Sequence, residues 1–172
     1  MQITPTMRRA TIDDAAAVLQ LFDGAIAWFA EIGNTEQWGT EPWSTQERQI
    51  ARVEEACALP EAWVAVDGSG AVCGFIALGD AMPYVPAAPH PELYVRVLIA
   101  SRDPRVRGVG RALMTLADER AREMGITELR LDCFGGGTGA LVRYYESCGY
   151  ERTSTFDEGG WPGQVLARSL AR

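Results

Sequence analysis

The stretch Leu93-Tyr94-Val95-Arg96-Val97-Leu98-Ile99-Ala100-Ser101-Arg102-Asp103-Pro104-Arg105-Val106-Arg107-Gly108-Val109-Gly110-Arg111-Ala112-Leu113-Met114-Thr115-Leu116 decides how this chain is read. Its first eight residues are rich in Val, Ile, Leu and Tyr and predict a buried strand over 93–100. A turn through Arg102-Asp103-Pro104 follows. Val109, Ala112, Leu113, Leu116, Ala117, Ala121 and Met124 then recur at helical spacing, which predicts a helix from about Gly108 to a cap at Gly125. Between strand and helix, Gly108 and Gly110 permit close backbone approach and unusual dihedrals. The first N–H groups of a helix lack intrahelical partners, and the helix dipole adds a partial positive charge there. Arg105, Arg107 and Arg111 add full charges. Together these groups describe a cradle for a pyrophosphate; the plainer alternative is a Gly-containing turn before a core helix. It is no dinucleotide fingerprint, because Leu113 stands where the third glycine would be, and no P-loop, because the chain has no Lys.

Working outward, Met7–Ala10 reads as a short strand and Thr11 as an N-cap with Asp14 three residues on. Val18, Leu21, Phe22, Ala25 and Phe29 predict a helix over 12–32, ended by Gly33-Asn34. A second helix is expected over 44–58. Two apolar runs, 62–66 and 72–78, flank Asp67-Gly68-Ser69-Gly70 and read as a hairpin. The four prolines between Asp80 and Pro91 make an irregular loop. Downstream come a strand over 129–133, a helix over 140–147 closed by Gly149, and strands over 151–156 and 165–170. This order predicts a single domain over 1–172 of the α/β (α+β) class, with one mixed sheet and helices on both faces.

The net charge of −7 argues against nucleic acid or an anionic membrane as partner, since both call for a basic surface. All 16 basic residues are Arg, so no Schiff-base lysine exists. A single histidine, His90, rules out a zinc site built from several His, and the cysteines lack zinc-site spacing; no metal is expected. Cys57, Cys73, Cys133 and Cys148 are scattered, and Met1–Thr6 shows no export signal, so a cytoplasmic protein with reduced thiols is expected. The sequence leaves the oligomeric state open; a homodimer is one possibility, dimers being the commonest assembly of soluble proteins.

Arg105-x-x-Gly108-x-Gly110 resembles the acyl-CoA signature Q/R-x-x-G-x-G/A of the GNAT N-acetyltransferase superfamily. Leu141-Val142-Arg143-Tyr144-Tyr145-Glu146-Ser147-Cys148-Gly149-Tyr150 is similar to that family's later motif ending Y-x-x-x-G-F/Y. The resemblance spans about Met7 to Leu170. Val106 departs from a position often Gly, and Thr138 from one often Asn. The resemblance implies a mostly antiparallel sheet with one parallel pair that splays around acetyl-CoA. It implies that Leu98, Ile99 and Ala100 bind the pantetheine arm through their backbone. Arg105, Arg107, Gly108, Val109, Gly110 and Arg111 would hold the pyrophosphate, with Thr138 near the cofactor. Tyr145 would protonate the leaving thiolate, and the acetyl group would pass to an amine of a small molecule or peptide.

No motif fixes the general base. Glu92, on the strand face of Tyr94, Arg96 and Leu98, is the first candidate, followed by His90 and Asp132. Trp28, Trp38 and Tyr84, with Glu92, are the candidate acceptor-binding residues, alongside Phe29 and Trp43; the alternative is that these aromatics are core or pin a loop. Two competing functions stay open. One is a non-catalytic acyl-CoA sensor or partner-binding protein on the same fold. The other is a hydrolase with Cys133 or Cys148 as nucleophile beside His90.

Overall fold

The computed structural model describes residues 4–170. Met1–Ile3, part of the segment read for an export signal, and the last two residues of the expected domain lie outside it. Seven strands form one sheet of order β1-β2-β3-β4-β5-β7-β6: β1 Thr6–Arg9, β2 Glu61–Val66, β3 Val72–Gly79, β4 Leu93–Ala100, β5 Glu128–Phe134, β6 Glu151–Glu158 and β7 Trp161–Ser169. Among the described residues four α-helices accompany these strands: α1 Ala15–Glu31, α2 Glu47–Cys57, α3 Val109–Glu123 and α4 Ala140–Ser147. The sheet is mixed, with β4 and β5 its parallel pair. Among the described residues no helix is long and apolar enough to cross a membrane.

The chain gathers into two compact units. The first comprises residues up to Leu78 together with Val97–Leu113. Here β1 pairs antiparallel with β2, from Thr6↔Val66 to Arg9↔Trp63, and β2 with β3, from Glu61↔Leu78 onward. Val18, Phe22, Ala25, Ile26 and Phe29 of α1 are buried at helical spacing and pack with Trp43, Val53, Val64, Phe75 and Ile99 in one core. Each large apolar side chain so buried contributes roughly 1.5–3 kcal/mol. The start of α1 is fixed locally. The Thr11 N–H donates to the Asp14 carboxylate at 2.8 Å, and Arg8 grips the same carboxylate through two hydrogen bonds. The expected helix over 44–58 is shorter than its periodicity suggests. Trp43–Thr45 forms a 3-10 turn instead, because the Trp43 ring stacks on Phe22 at 4.1 Å and is held in the core.

The second unit comprises Gly79–Arg96 and the chain from Met114 onward. The β4–β5 pairing runs Leu93↔Leu129, Tyr94↔Arg130 and Val95↔Leu131, and neither Arg96 nor Asp132 takes part. β5 pairs antiparallel with β7 over its full length, from Glu128↔Ser169 to Phe134↔Gly163. β7 begins at Trp161, four residues before the expected strand, because Gly159-Gly160 turns the chain with both φ positive and lets β6 run on to Glu158. Met124, expected on the apolar stripe of α3, is 47% exposed. Met114 and Asp118 are buried on that helix instead.

Candidate active site

β4 ends at Ala100, as the sequence predicts. Ile99 is buried in the core of the first unit, while Leu98 and Ala100 are half-buried. The next residue, Ser101, donates its N–H to the Cys73 carbonyl at 2.8 Å. Its hydroxyl accepts the Asp103 N–H at 3.1 Å, so the chain leaves the sheet in a tied turn. Gly108 has φ +76°, a conformation that favours glycine, and α3 starts at the next residue. Gly110 lies within the first turn of α3. The Ala112 N–H closes that turn on the Gly108 carbonyl at 3.0 Å. The N–H groups of Gly108, Val109 and Gly110 go to no backbone carbonyl among the described residues. Arg105, Arg107 and Gly108 are all exposed at this corner.

Two residues to which the sequence assigns no binding role shape this corner. Gly74 sits on β3, and a Cβ there would lie 2.5 Å from Val109 and 2.9 Å from Leu113, so its absence is what lets α3 start so close to the sheet. A glycine inside an apolar strand run was the available signal. Asp103 is the second. Its carboxylate accepts the Arg105 backbone N–H at 2.9 Å and the guanidinium through Nε at 3.0 Å and Nη2 at 2.6 Å. These contacts, the guanidinium first, hold the Asp103 carboxyl down at about 2. Arg105 is thereby oriented by its neighbour. Asp67, Ser69, Asp103, Arg105 and Val106 line a cavity beside the loop. The residues fit a phosphate-bearing carrier: exposed guanidinia, unspent amides and a glycine corner a Cβ would strain.

In the second unit, Tyr145 lies on α4 where the sequence places it. It is buried, with Tyr144 at 5.2 Å and Tyr150 at 6.4 Å in edge-to-face contact. Burial drives its phenol well above the usual 10, with neighbouring Cys133 adding to the effect. Tyr145 therefore holds its proton more tightly than an ordinary phenol. Thr138 is exposed, one residue before the N-cap, which is Gly139 at φ +73°; the Thr138 carbonyl accepts Arg143 Nη1 at 2.7 Å.

Glu92, His90 and Asp132 prove to belong to one row. Three residues of even number on the β4 side each meet a residue 38 positions later on the β5 side. His90 Nε2 contacts the Glu128 carboxylate, Arg130 donates two bonds to Glu92, and the Tyr94 hydroxyl donates to Asp132. Glu92 and Arg130 are almost fully buried, at 11% and 8% side-chain exposure. Tyr94 is fully buried. Burial raises its phenol far above the ordinary value, and the hydrogen bond to Asp132 raises it further. Glu92 therefore stands as the buried partner of a guanidinium. Arg130 was invisible to the sequence reading, because its pairing depends on the parallel register.

Trp28 and Trp38 are half-buried in the first unit, each against Phe29, at 5.3 Å and 5.4 Å, while Trp43 is core. Tyr84 belongs to the second unit, 36% exposed against Phe156. All four cysteines are free and buried. Burial pushes Cys133 up to about 12, which is against Cys133 as the thiolate nucleophile of a hydrolase. Among the described residues no cluster of three or more His, Cys, Asp or Glu side chains could hold a metal.

A sequence model of the acetyltransferase (GNAT) family matches residues 24–150. The chain is 38% identical over 120 residues to "Probable N-acetyltransferase 14" of Mus musculus, covering 64% of this chain and 52% of that protein. It thus spans about half the length of the curated relatives it matches. Its fold is that of a GCN5-related N-acetyltransferase from Kribbella flavida, with a TM-score of 0.67, 22% identity, and 96% and 98% of the two chains covered. It is also that of the PaiA N-acetyltransferase from Thermoplasma acidophilum, solved in complex with coenzyme A. There the TM-score is 0.68 at 15% identity, with 97% and 99% covered.

Proposed function

Because the chain belongs to the GNAT acetyltransferase family, we propose that it is an N-acetyltransferase acting on a primary amine of a small molecule or peptide by direct attack. The observation that carries this reading is the corner at Gly108. A left-handed glycine opens α3, unspent amides follow, and Arg105 is held in place beside them. Acetyl-CoA, when bound, supplies the activated acetyl thioester. Gly108, Val109 and Gly110 would hold its pyrophosphate by their N–H groups, with Arg105, Arg107 and Arg111 countering its charge. The backbone of Leu98–Ala100 would receive the pantetheine arm, and Thr138 would border the cofactor ahead of α4.

Tyr145 keeps a proton at its hydroxyl for the departing sulfur. Its raised pKa suits the role only because the same desolvation would make the thiolate more basic as well, so the two stay matched. For the proton leaving the amine, Glu92 is the proposed acceptor, through water, with Asp132 beside it on the same row. Arg130 holds the Glu92 carboxylate in place by two hydrogen bonds. Trp28 and Trp38, each packed against Phe29 in the first unit, are the proposed apolar walls for the acceptor. The cytoplasm is the proposed compartment, in keeping with four free, buried thiols.

The tie between Glu92 and Arg130 also favours a second reading, a non-catalytic acyl-CoA sensor. Two measurements separate these readings. Calorimetry should show acetyl-CoA binding that Gly108→Val weakens by at least about 100-fold in a folded protein, since a β-branched residue resists φ +76°. Undiminished binding by that variant rejects the cradle. CoA release across an amine panel then identifies the transferase; binding without release identifies the sensor.

A further inference from the structure

Arg102 follows β4 by two residues and is used by none of the roles above. Its guanidinium carbon lies 4.0 Å from the centre of the Trp28 ring and 5.5 Å from that of Phe29. More than a third of its surface stays accessible. No carboxylate pairs with it among the described residues, whereas Arg8, Arg9, Arg105, Arg120, Arg130, Arg152 and Arg168 each have one. The contrast shows in the protonation equilibria as well. Carboxylate partners push Arg8, Arg105 and Arg130 up, while Arg102 is pushed down and burial is the sole cause.

A cation half withdrawn from water with no counter-charge costs free energy that the aromatic faces only partly offset. The aromatic rings offer the guanidinium no hydrogen-bond acceptor, so the contact does not use up the N–H donors along its edge. That edge is a fork matched to a carboxylate, and ring contact restricts its rotamers before any ligand arrives. The platform beneath it is Trp28, which contacts Phe29, and Phe29 in turn contacts Trp38; Trp28 and Trp38 are the proposed walls of the acceptor pocket.

We propose that Arg102, lying over the Trp28 ring, recognises a carboxylate on the acceptor, so that the preferred substrates are amines that also carry a carboxylate group. This inference rests on the transferase reading and narrows its substrate class. Two sources share that chemistry: a free amino acid and the C-terminus of a short peptide.

The test uses matched pairs with the full chain and acetyl-CoA: L-methionine against L-methioninamide, and Met-Ala-Ser against its C-terminal amide. The wild type should prefer the carboxylate member of at least one pair by about 10- to 100-fold in kcat/KM, the range expected of one charge-assisted contact. Which pair shows the larger preference distinguishes amino acid from peptide. In Arg102→Gln the preference should shrink to about threefold or less, mostly through KM, with acetyl-CoA affinity by calorimetry unchanged; Arg102→Lys should restore part of it. Absence of preference in the wild type overturns the proposal, as does equal loss on both members of a pair. A weakened acetyl-CoA affinity in Arg102→Gln also overturns it, by moving Arg102 to the cofactor. If acetyl-CoA binds and no amine is acetylated, the transferase reading fails separately. Carboxylate recognition is then decided by tryptophan fluorescence titrated with L-methionine in the presence of CoA, where a saturable change lost in Arg102→Gln supports it and no change overturns it.

Discussion

The Gly108 corner and the β4–β5 row are both dense in polar groups, yet they spend them differently. Along the row, polar groups are spent on one another: Glu92 on Arg130 and the Tyr94 hydroxyl on Asp132 in the interior, and His90 on Glu128 nearer the surface. At the corner, the amides of Gly108, Val109 and Gly110 go to no backbone carbonyl, and Arg105 stands exposed although Asp103 orients it. Satisfied buried groups hold a sheet in register; groups left open at a surface hold a ligand. Tyr145 belongs to neither region: it is buried on α4, and burial keeps its hydroxyl protonated.

The largest effect is expected at Tyr145. Tyr145→Phe should lower kcat about 10²- to 10³-fold while changing acetyl-CoA affinity less than about twofold, because the proton is needed only as the sulfur departs. Steady-state kinetics alongside calorimetry will show it, and an unchanged kcat makes Tyr145 a core aromatic. Glu92→Gln should act on stability as well as on turnover. It leaves the Arg130 guanidinium buried without its anion, at a cost of about 2–3 kcal/mol by urea unfolding. A loss of turnover with no loss of stability would move Glu92 from the satisfied class to the open one and strengthen its role as base.

The smallest effect is at Asp14. Asp14→Asn should cost about 1 kcal/mol, since Arg8 is half exposed and solvent screens the pair. The hydrogen bond from Arg8, then that from Thr11, hold the Asp14 carboxyl below its ordinary value of 3.8. A folded-state value below the unfolded one stabilises fully above the unfolded value, and that stability is lost as pH falls through the folded one. Wild type and Asp14→Asn should therefore converge in stability in acid below about pH 4, which melts at stepped pH will measure. Parallel pH curves would count against the assignment.

β4 and α4 match their expected spans residue for residue, because each is bounded by local signals: a Pro-rich loop before β4, and Gly149 at φ +92° behind α4. The second helix does not, because distant packing of Trp43 on Phe22 sets its start; β7 starts four residues early because the Gly159-Gly160 turn leads β6 directly into it. The cofactor corner was legible since its chemistry lies in consecutive residues. Glu92 was legible as a carboxylate on the right strand, yet its partner Arg130 lies 38 residues away.

The sequence by itself determined the strand–loop–helix corner, the tyrosine of α4 and the exclusion of lysine chemistry, because periodicity, capping and residue type act over a few neighbours. Only the tertiary structure decided which of those groups are already spent. The parallel register of β4 on β5 ties Glu92 to Arg130, the bare Gly74 admits α3 to the sheet, and the packing of α1 sets Trp28 beneath Arg102. Partnership between side chains depends on distances that the order of residues along a chain does not contain.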